Sequence, residues 1–374
     1  MDIEKVEIKE KKIPLRTRKI LKQVLSAVLM VIFIITAVLE FLTLTEYRPD
    51  MTEEVAVNYF SYEALSPGDS LKVLTWNVGY GALGDNADYF KNGGKSVRTA
   101  DEERVQRNLK GIIKETSVMR PDVIFFQEVD RDSSRSYHID ETIAMINELS
   151  EEYTLRYTTA FAYNYNVNYV PYPIPPIGEV RSGLLTLTTM PMESAQRIQL
   201  PCPFDWPDRL IDYKRCLLLE RLPLQNSDKE LVLVNLHMEA FASSKAKENQ
   251  TGRLMQILEE EAAKGNYVIA GGDFDQTFSG TDTSAYPQQE GKWAPGEILT
   301  EELGDSWQCL MDSSAPTCRS LDRPYEGADR IGFQYYVVDG YILSSNIEVK
   351  SCETKSMGFL YSDHNPVLLE CTLK

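Results

Sequence analysis

The chain has 374 residues, 43% hydrophobic and 25% charged, which excludes a disordered chain, a collagen-like fibre and a multi-span membrane protein. Its formal net charge is −17, unevenly spread: residues 1–22 hold eight basic and four acidic residues, and the remainder holds 31 and 52. A body that acidic repels polyanions at long range, which argues against a general nucleic-acid binder.

Residues 1–22 read as a short basic tail. From Gln23 to Leu39 runs an uncharged apolar stretch of 17 residues, extended past Glu40 by Phe41, Leu42 and Leu44. This is just long enough to span a bilayer. Basic residues precede it (Lys11, Lys12, Arg16, Arg18, Lys19, Lys22) and acidic ones follow (Glu46, Asp50, Glu53, Glu54). The asymmetry predicts an uncleaved signal anchor at 23–44, the N-terminus cytoplasmic and the rest exported at the cell membrane. A cleaved signal peptide and a buried core helix are the alternatives; no clear small-residue cleavage site follows the stretch. Residues 45–70, acidic and nearly aperiodic, read as a stalk, and 71–374 as one continuous domain.

Within that domain, β-branched apolar runs predict strands at LKVLTW, DVIFFQ, LLTLTT, LVLVNL, YVIAGG, YVVDGYIL and PVLLECTL. Helical periodicity covers Glu102–Met119, Ile139–Glu151 and Lys245–Lys264, the last stopped by Gly265-Asn266. Residues 161–178, rich in Pro and Asn, read as an irregular aromatic loop able to stack bases or dip into lipid. Six cysteines, all beyond the apolar stretch, permit disulfides such as Cys202–Cys216 and Cys309–Cys318, or buried free thiols.

Several strands run into a polar or ionisable residue: Asn77, Glu128, His237, Asp273, and Asp339 inside YVVDGYIL, with Ser362-Asp363-His364 before the last strand. Buried strands seldom end so unless those groups meet something. Two of the chain's three histidines belong to this set. Hard carboxylate ligands suit a magnesium-like ion, a carboxylate orients water, and a histidine held by an aspartate contacts phosphoryl oxygens. The chemistry indicated is metal-assisted hydrolysis of a phosphate ester.

The ordered set TWN at 75–77, QE at 127–128, NLH at 235–237, GGDF at 271–274, VDGYILSS at 338–345 and YSDHNPV at 361–367 resembles the endonuclease/exonuclease/phosphatase superfamily. The branch it is most similar to is that of deoxyribonucleases and neutral sphingomyelinases. The resemblance implies an α/β (α+β) fold, a four-layer αββα sandwich of two packed sheets, and a Mg2+ or Mn2+ cofactor. It implies Glu128, with Asn77 and Asp363, at the metal; Asn77 also at the phosphate; Asp273 orienting or deprotonating water; and His364 paired with Asp339. His237 matches a second histidine of that branch.

One position departs from the pattern. Asp275 stands where the family carries Asn, so an ionised carboxylate replaces an amide donor. That predicts reduced or altered activity, a second bound ion, or a carboxyl kept protonated beside Asp273. Arg135 and Arg181 are the candidate phosphate-contacting arginines, with Tyr163, Tyr165, Tyr169 and Tyr172 as candidate tyrosines. The resulting expectation is a membrane-anchored, outward-facing phosphodiesterase acting on nucleic acid or a phospholipid head group, with no protein partner inferred. The alternative is a catalytically weak phosphate- or partner-binding module.

Overall fold

The computed structural model describes residues 14–59, 63–153, 156–328 and 332–374. Residues 1–13, most of the expected basic tail, lie outside that set. The chain divides into two compact units, 1–46 and 47–374.

In the first unit, helix α1 (Leu15–Leu44) follows Pro14, whose fixed φ suits a helix start. It is long and apolar enough to cross a membrane, with a mean hydropathy of 2.7 over its most apolar window. Near its end Thr43 and Thr45 donate their hydroxyls to the carbonyls of Leu39 and Phe41, at 2.7 and 2.8 Å.

The second unit is built on two seven-stranded mixed sheets. One runs β17 (Ile347–Thr354), β18 (Val367–Leu373), β3 (Ser70–Asn77), β4 (Val123–Asp130), β6 (Gly178–Thr188), β5 (Thr158–Val170), β2 (Val57–Asn58). The other runs β1 (Thr52–Val55), β7 (Ser194–Gln199), β8 (Cys216–Pro223), β9 (Glu230–His237), β10 (Tyr267–Asp273), β16 (Asp339–Ser344), β13 (Trp307–Leu310). Two small ribbons pair β11 (Gln276–Phe278) with β12 (Gly296–Ile298), and β14 (Cys318–Arg319) with β15 (Tyr335–Tyr336).

Alternating strand residues divide the core into layers. Val73, Phe125, Leu184, Leu218, Leu233 and Ile269 meet between the sheets. On the outer face of the first sheet, Leu74, Trp76 and Ile124 pack against Val105, Leu109 and Ile112 of α2 (Glu102–Met119) and Met145 of α3 (Glu141–Tyr153). On the outer face of the second, Val232, Val234 and Val268 pack against Leu254 and Leu258 of α4 (Ser244–Ala262). This is the four-layer αββα sandwich the motifs implied. Asp101 caps α2 by accepting from the Arg104 amide at 2.8 Å, and the helix stops at Arg120, before Pro121.

Four expectations are corrected. The segment read as an irregular loop from residue 161 is largely strand: β5 pairs with β6 as far as Val170, through two register shifts. The segment read as a stalk supplies an edge strand to each sheet, Thr52–Val55 against β7 and Val57–Asn58 against β5. YVVDGYIL is not one strand: it breaks after Tyr336, and the break puts Asp339 at the start of β16. All six cysteines are free thiols, so neither suggested disulfide forms.

The topology gathers the polar strand ends. β3 and β4 are parallel neighbours, as are β9 and β10. Asp273 lies in register with His237 on one side and with Asp339 on the other. Beneath them Gln127 of one sheet donates to Asn235 of the other at 2.9 Å, and Asn235 donates to the Leu185 carbonyl at 3.1 Å. This buried bridge fixes one sheet against the other one residue before Glu128 and two before His237.

Candidate active site

Glu128 is aimed by a β-bulge. The β4–β6 pairing shifts between Phe126 and Val129, and Glu128 sits at a left-handed φ of 55°. Gly271 and Gly272 bring β10 close to its neighbours: a Cβ on Gly272 would stand 2.0 Å from the Leu236 carbonyl oxygen, and one on Gly271 2.5 Å from the Tyr341 ring. The loop before β18 is pinned to β3. Trp76 Nε1 donates to the His364 carbonyl at 2.9 Å, and Ser362 Oγ donates to the Asn77 carbonyl at 2.8 Å.

These elements bring the expected residues into one cleft. Asn77 Nδ2 donates to Asp273 Oδ2 at 3.0 Å and to Glu128 Oε1 at 3.3 Å. Its own Oδ1 accepts from the Gly79 amide at 3.0 Å, so the amide nitrogen, not the oxygen, faces the carboxylates. That suits Asn77 to organising Glu128 and Asp273 better than to ligating an ion. His364 Nδ1 bonds Asp339 Oδ2 at 2.9 Å, and its Nε2 lies 3.7 Å from Asp273 Oδ2. His237 Nε2 lies 3.4 Å from Asp273 Oδ2 and 3.2 Å from Asp275 Oδ2, with Nδ1 4.0 Å from Glu128 Oε1. Asp275 has a left-handed φ of 49°, a conformation Asn and Asp tolerate, and its amide donates to Asp273 Oδ1 at 3.0 Å.

Burial governs the protonation of the cleft. It lifts Asp275 to about 6 against Arg215, Lys247 and His364, and Asp363 to about 6 against His364. His237 is pushed down to about 4 by burial and by Arg215, so it is neutral near pH 7. Burial opposes charge on His364 too, but Cys318, Asp339 and Asp273 outweigh it, and the histidine keeps its proton well past the ordinary range.

The donor set fits a hard divalent cation. Glu128, Asp273, Asp275, Asp339 and Asp363 crowd one region, and burial lifts three of them, Asp275, Asp339 and Asp363, to about 6. A cleft in that condition is relieved by added positive charge. Oxygen donors of this kind suit the hard divalent cations, Mg2+, Mn2+ and Ca2+ among them. Among the described residues, buried His237 Nδ1 and Asp339 Oδ1 also lack hydrogen-bond partners.

The cleft opens into a cavity of about 100 Å³ with a wall of Tyr80, Tyr89, Tyr165 and Tyr213. Arg135 lines it, but Asp130 grips its guanidinium at 2.9 and 3.0 Å, and it stacks on Tyr80 at 3.6 Å. It buttresses the wall and has little charge to spare. Arg181 is not among the lining residues: Asn166 and Asn168 hold its guanidinium at 3.0 and 3.2 Å, and Glu179 pairs with it. The arginine that sequence reasoning missed is Arg215. It is 3% exposed, stacks on Tyr213 at 3.9 Å, and pairs with Glu239 through Nε at 3.4 Å. Among the described residues one of its terminal nitrogens has no partner.

Two facing sheets flanked by helices thus gather acidic and histidine side chains at one edge. The profile of the Endonuclease/Exonuclease/phosphatase family matches residues 74–323, and the chain belongs to that family. Among solved structures, an endonuclease/exonuclease/phosphatase from Beutenbergia cavernae is 17% identical, covering 81% of this chain and 72% of its own, with a TM-score of 0.54. A family protein from Leptotrichia buccalis is 14% identical over 80% of this chain and 99% of its own, at 0.52. One from Bacteroides vulgatus is 14% identical over 82% and 100%, at 0.50. No curated protein sequence matches the chain.

Proposed function

We propose that the chain is a membrane-anchored, outward-facing phosphodiesterase, dependent on Mg2+ or Mn2+, that hydrolyses a phosphate ester with activated water. The observation that carries this reading is the meeting of Asn77, Glu128, Asp273 and the Asp339–His364 pair in one buried cleft. Glu128 and Asp363 would hold the ion, which when bound neutralises charge on the phosphoryl and leaving oxygens. Asn77 fixes the carboxylates of Glu128 and Asp273. Asp273 orients the attacking water and takes its proton. His364, held by Asp339, presents a protonated Nε2 to a phosphoryl oxygen. Neutral His237 and the spare guanidinium nitrogen of Arg215 supply further donors.

The basic residues before α1 and the acidic ones after it support a cytoplasmic tail at 1–22, an anchor ending near Leu44 and an exported catalytic unit. The substrate is nucleic acid or a phospholipid head group. Asp275 favours one other reading, a catalytically weak module that keeps the fold to bind a phosphate ligand or partner.

A substrate panel tests both. The full chain in mild detergent is given double-stranded DNA, RNA, sphingomyelin and inositol phosphates, with and without Mg2+, beside Glu128→Ala and His364→Ala. Mg2+-dependent release from one substrate, lost in both variants, supports the enzyme. Binding without release supports the module.

A further inference from the structure

Cys318, at the head of β14, is joined to His364 by a single β-bridge. The thiol sulfur, an imidazole nitrogen of His364 and a carboxyl oxygen of Asp363 all lie within 4.8 Å of one another. The three residues are 8%, 6% and 6% exposed, and all line the cavity. Asp339 occupies His364 Nδ1, which leaves Nε2 as the available nitrogen. A carboxylate behind an imidazole is the support that metal-ligating histidines use. Sulfur, nitrogen and oxygen donors together suit zinc, which takes three protein ligands and leaves a fourth position open. Magnesium and manganese have little affinity for the thiol.

We propose that Cys318, Asp363 and His364 form a second, softer metal site that takes Zn2+, and that loading it silences the cleft. Binding sends the thiol proton and the His364 Nε2 proton to the buffer and forms two coordinate bonds in their place, with no change of oxidation state. Zinc there withdraws His364 from the phosphoryl group and Asp363 from the magnesium site. The inhibition rests on the function proposed above, whereas the binding rests on the cluster alone. A peroxide-sensing role for Cys318 fits less well: burial pushes its thiol up to about 12, and a thiol that stays protonated is a poor nucleophile.

The test uses Co2+ as an optical stand-in for zinc on the full chain in detergent. A thiolate-to-cobalt charge-transfer band is expected in the parent, bleached by one equivalent of Zn2+. It is lost in Cys318→Ser and Cys318→Ala, with thermal melting used to verify that both fold. It persists in Cys202→Ser and His138→Ala, which remove the exposed thiol and the surface Asp132–His138–Glu179 cluster. In the hydrolysis assay, Cys318→Ser needs at least about tenfold more Zn2+ than the parent for half-inhibition, each measured relative to its own zinc-free rate. No band in the parent, or a band that survives in Cys318→Ser, overturns the site. A correct band with zinc-insensitive hydrolysis overturns the inhibition. A correct band on a chain that hydrolyses nothing keeps the zinc site and refutes the proposed function.

Discussion

Replacing Asp275 with Asn exchanges an acceptor for a donor at a position that departs from the family pattern. The backbone accepts the change, because Asn tolerates the φ of 49° and the amide bond to Asp273 is kept. With the carboxyl at about 6, the parent and the variant differ most at high pH. Protonated Asp275 can donate to a phosphoryl oxygen as Asn does; ionised Asp275 cannot. From a pKa near 6 in the metal-free cleft, about 90% of Asp275 is protonated at pH 5 and about 1% at pH 8, and a bound cation shifts this balance further toward the ionised form. One preorganised donor contributes roughly 2.7–4 kcal/mol, or about 10²–10³ in kcat. As pH rises the parent loses this donor and the variant keeps it, so the ratio of variant to parent climbs with pH toward about 10²–10³. His237, held near 4, does not titrate across this range. The assay is kcat on a chromogenic phosphodiester from pH 5 to 8 at saturating Mg2+. A ratio that does not change with pH, or a variant slower than the parent at pH 8, would refute the reasoning.

Glu220 is fully buried between the sheets, and burial raises its pKa well above the ordinary value, opposed by the Thr186 hydroxyl and its own backbone amide. A raised folded-state pKa means full stability below the unfolded value of about 4.5, then a loss of about 1.4 kcal/mol per pH unit as pH rises toward the folded one. Glu220→Gln lacks that slope, so urea denaturation should show its advantage growing from pH 5 to pH 7; parallel curves count against it. Arg215→Ala removes the spare guanidinium from the cavity, and steady-state kinetics should show kcat/KM down by about 1.5–3 kcal/mol, roughly 10–150-fold. Lys at that position should rescue little, since it cannot stack on Tyr213 while reaching an anion; full rescue contradicts the role. Gln127→Leu strands Asn235 Oδ1 and should cost about 1–3 kcal/mol in stability, with the Asn235→Leu double variant costing less than the sum of the two single changes. Additive costs would show that the two side chains do not act as a bridge.

The helices and the strands that end in motif residues were legible because their periodicity is local. Glu102–Met119 carries its own cap at Asp101 and its own stop at Arg120-Pro121. β5 was not legible. Asn164, Asn166 and Asn168 imitate turn residues, and the register shifts near Tyr163 and Val167 break the alternation that marks a strand. The edge strands at 52–58 are too short to show a period. The arginines failed for a different reason: which guanidinium is left without a partner depends on tertiary neighbours. Asp130 neutralises Arg135 and two asparagines engage Arg181, whereas Arg215 sits deep in the cavity with a nitrogen to spare. The cysteine spacing permitted disulfides, and only three dimensions show Cys318 beside His364.

The most direct test of the cleft is hydrolysis of a chromogenic phosphodiester by the full chain as Mg2+ is varied, with Glu128→Gln alongside. Expected is saturable, chelator-sensitive release in the parent, and in the variant a loss of turnover or a requirement for at least about tenfold more Mg2+. Release that ignores chelator, or a variant that follows the parent's Mg2+ curve, would contradict the assignment of Glu128 and with it the metal-dependent site.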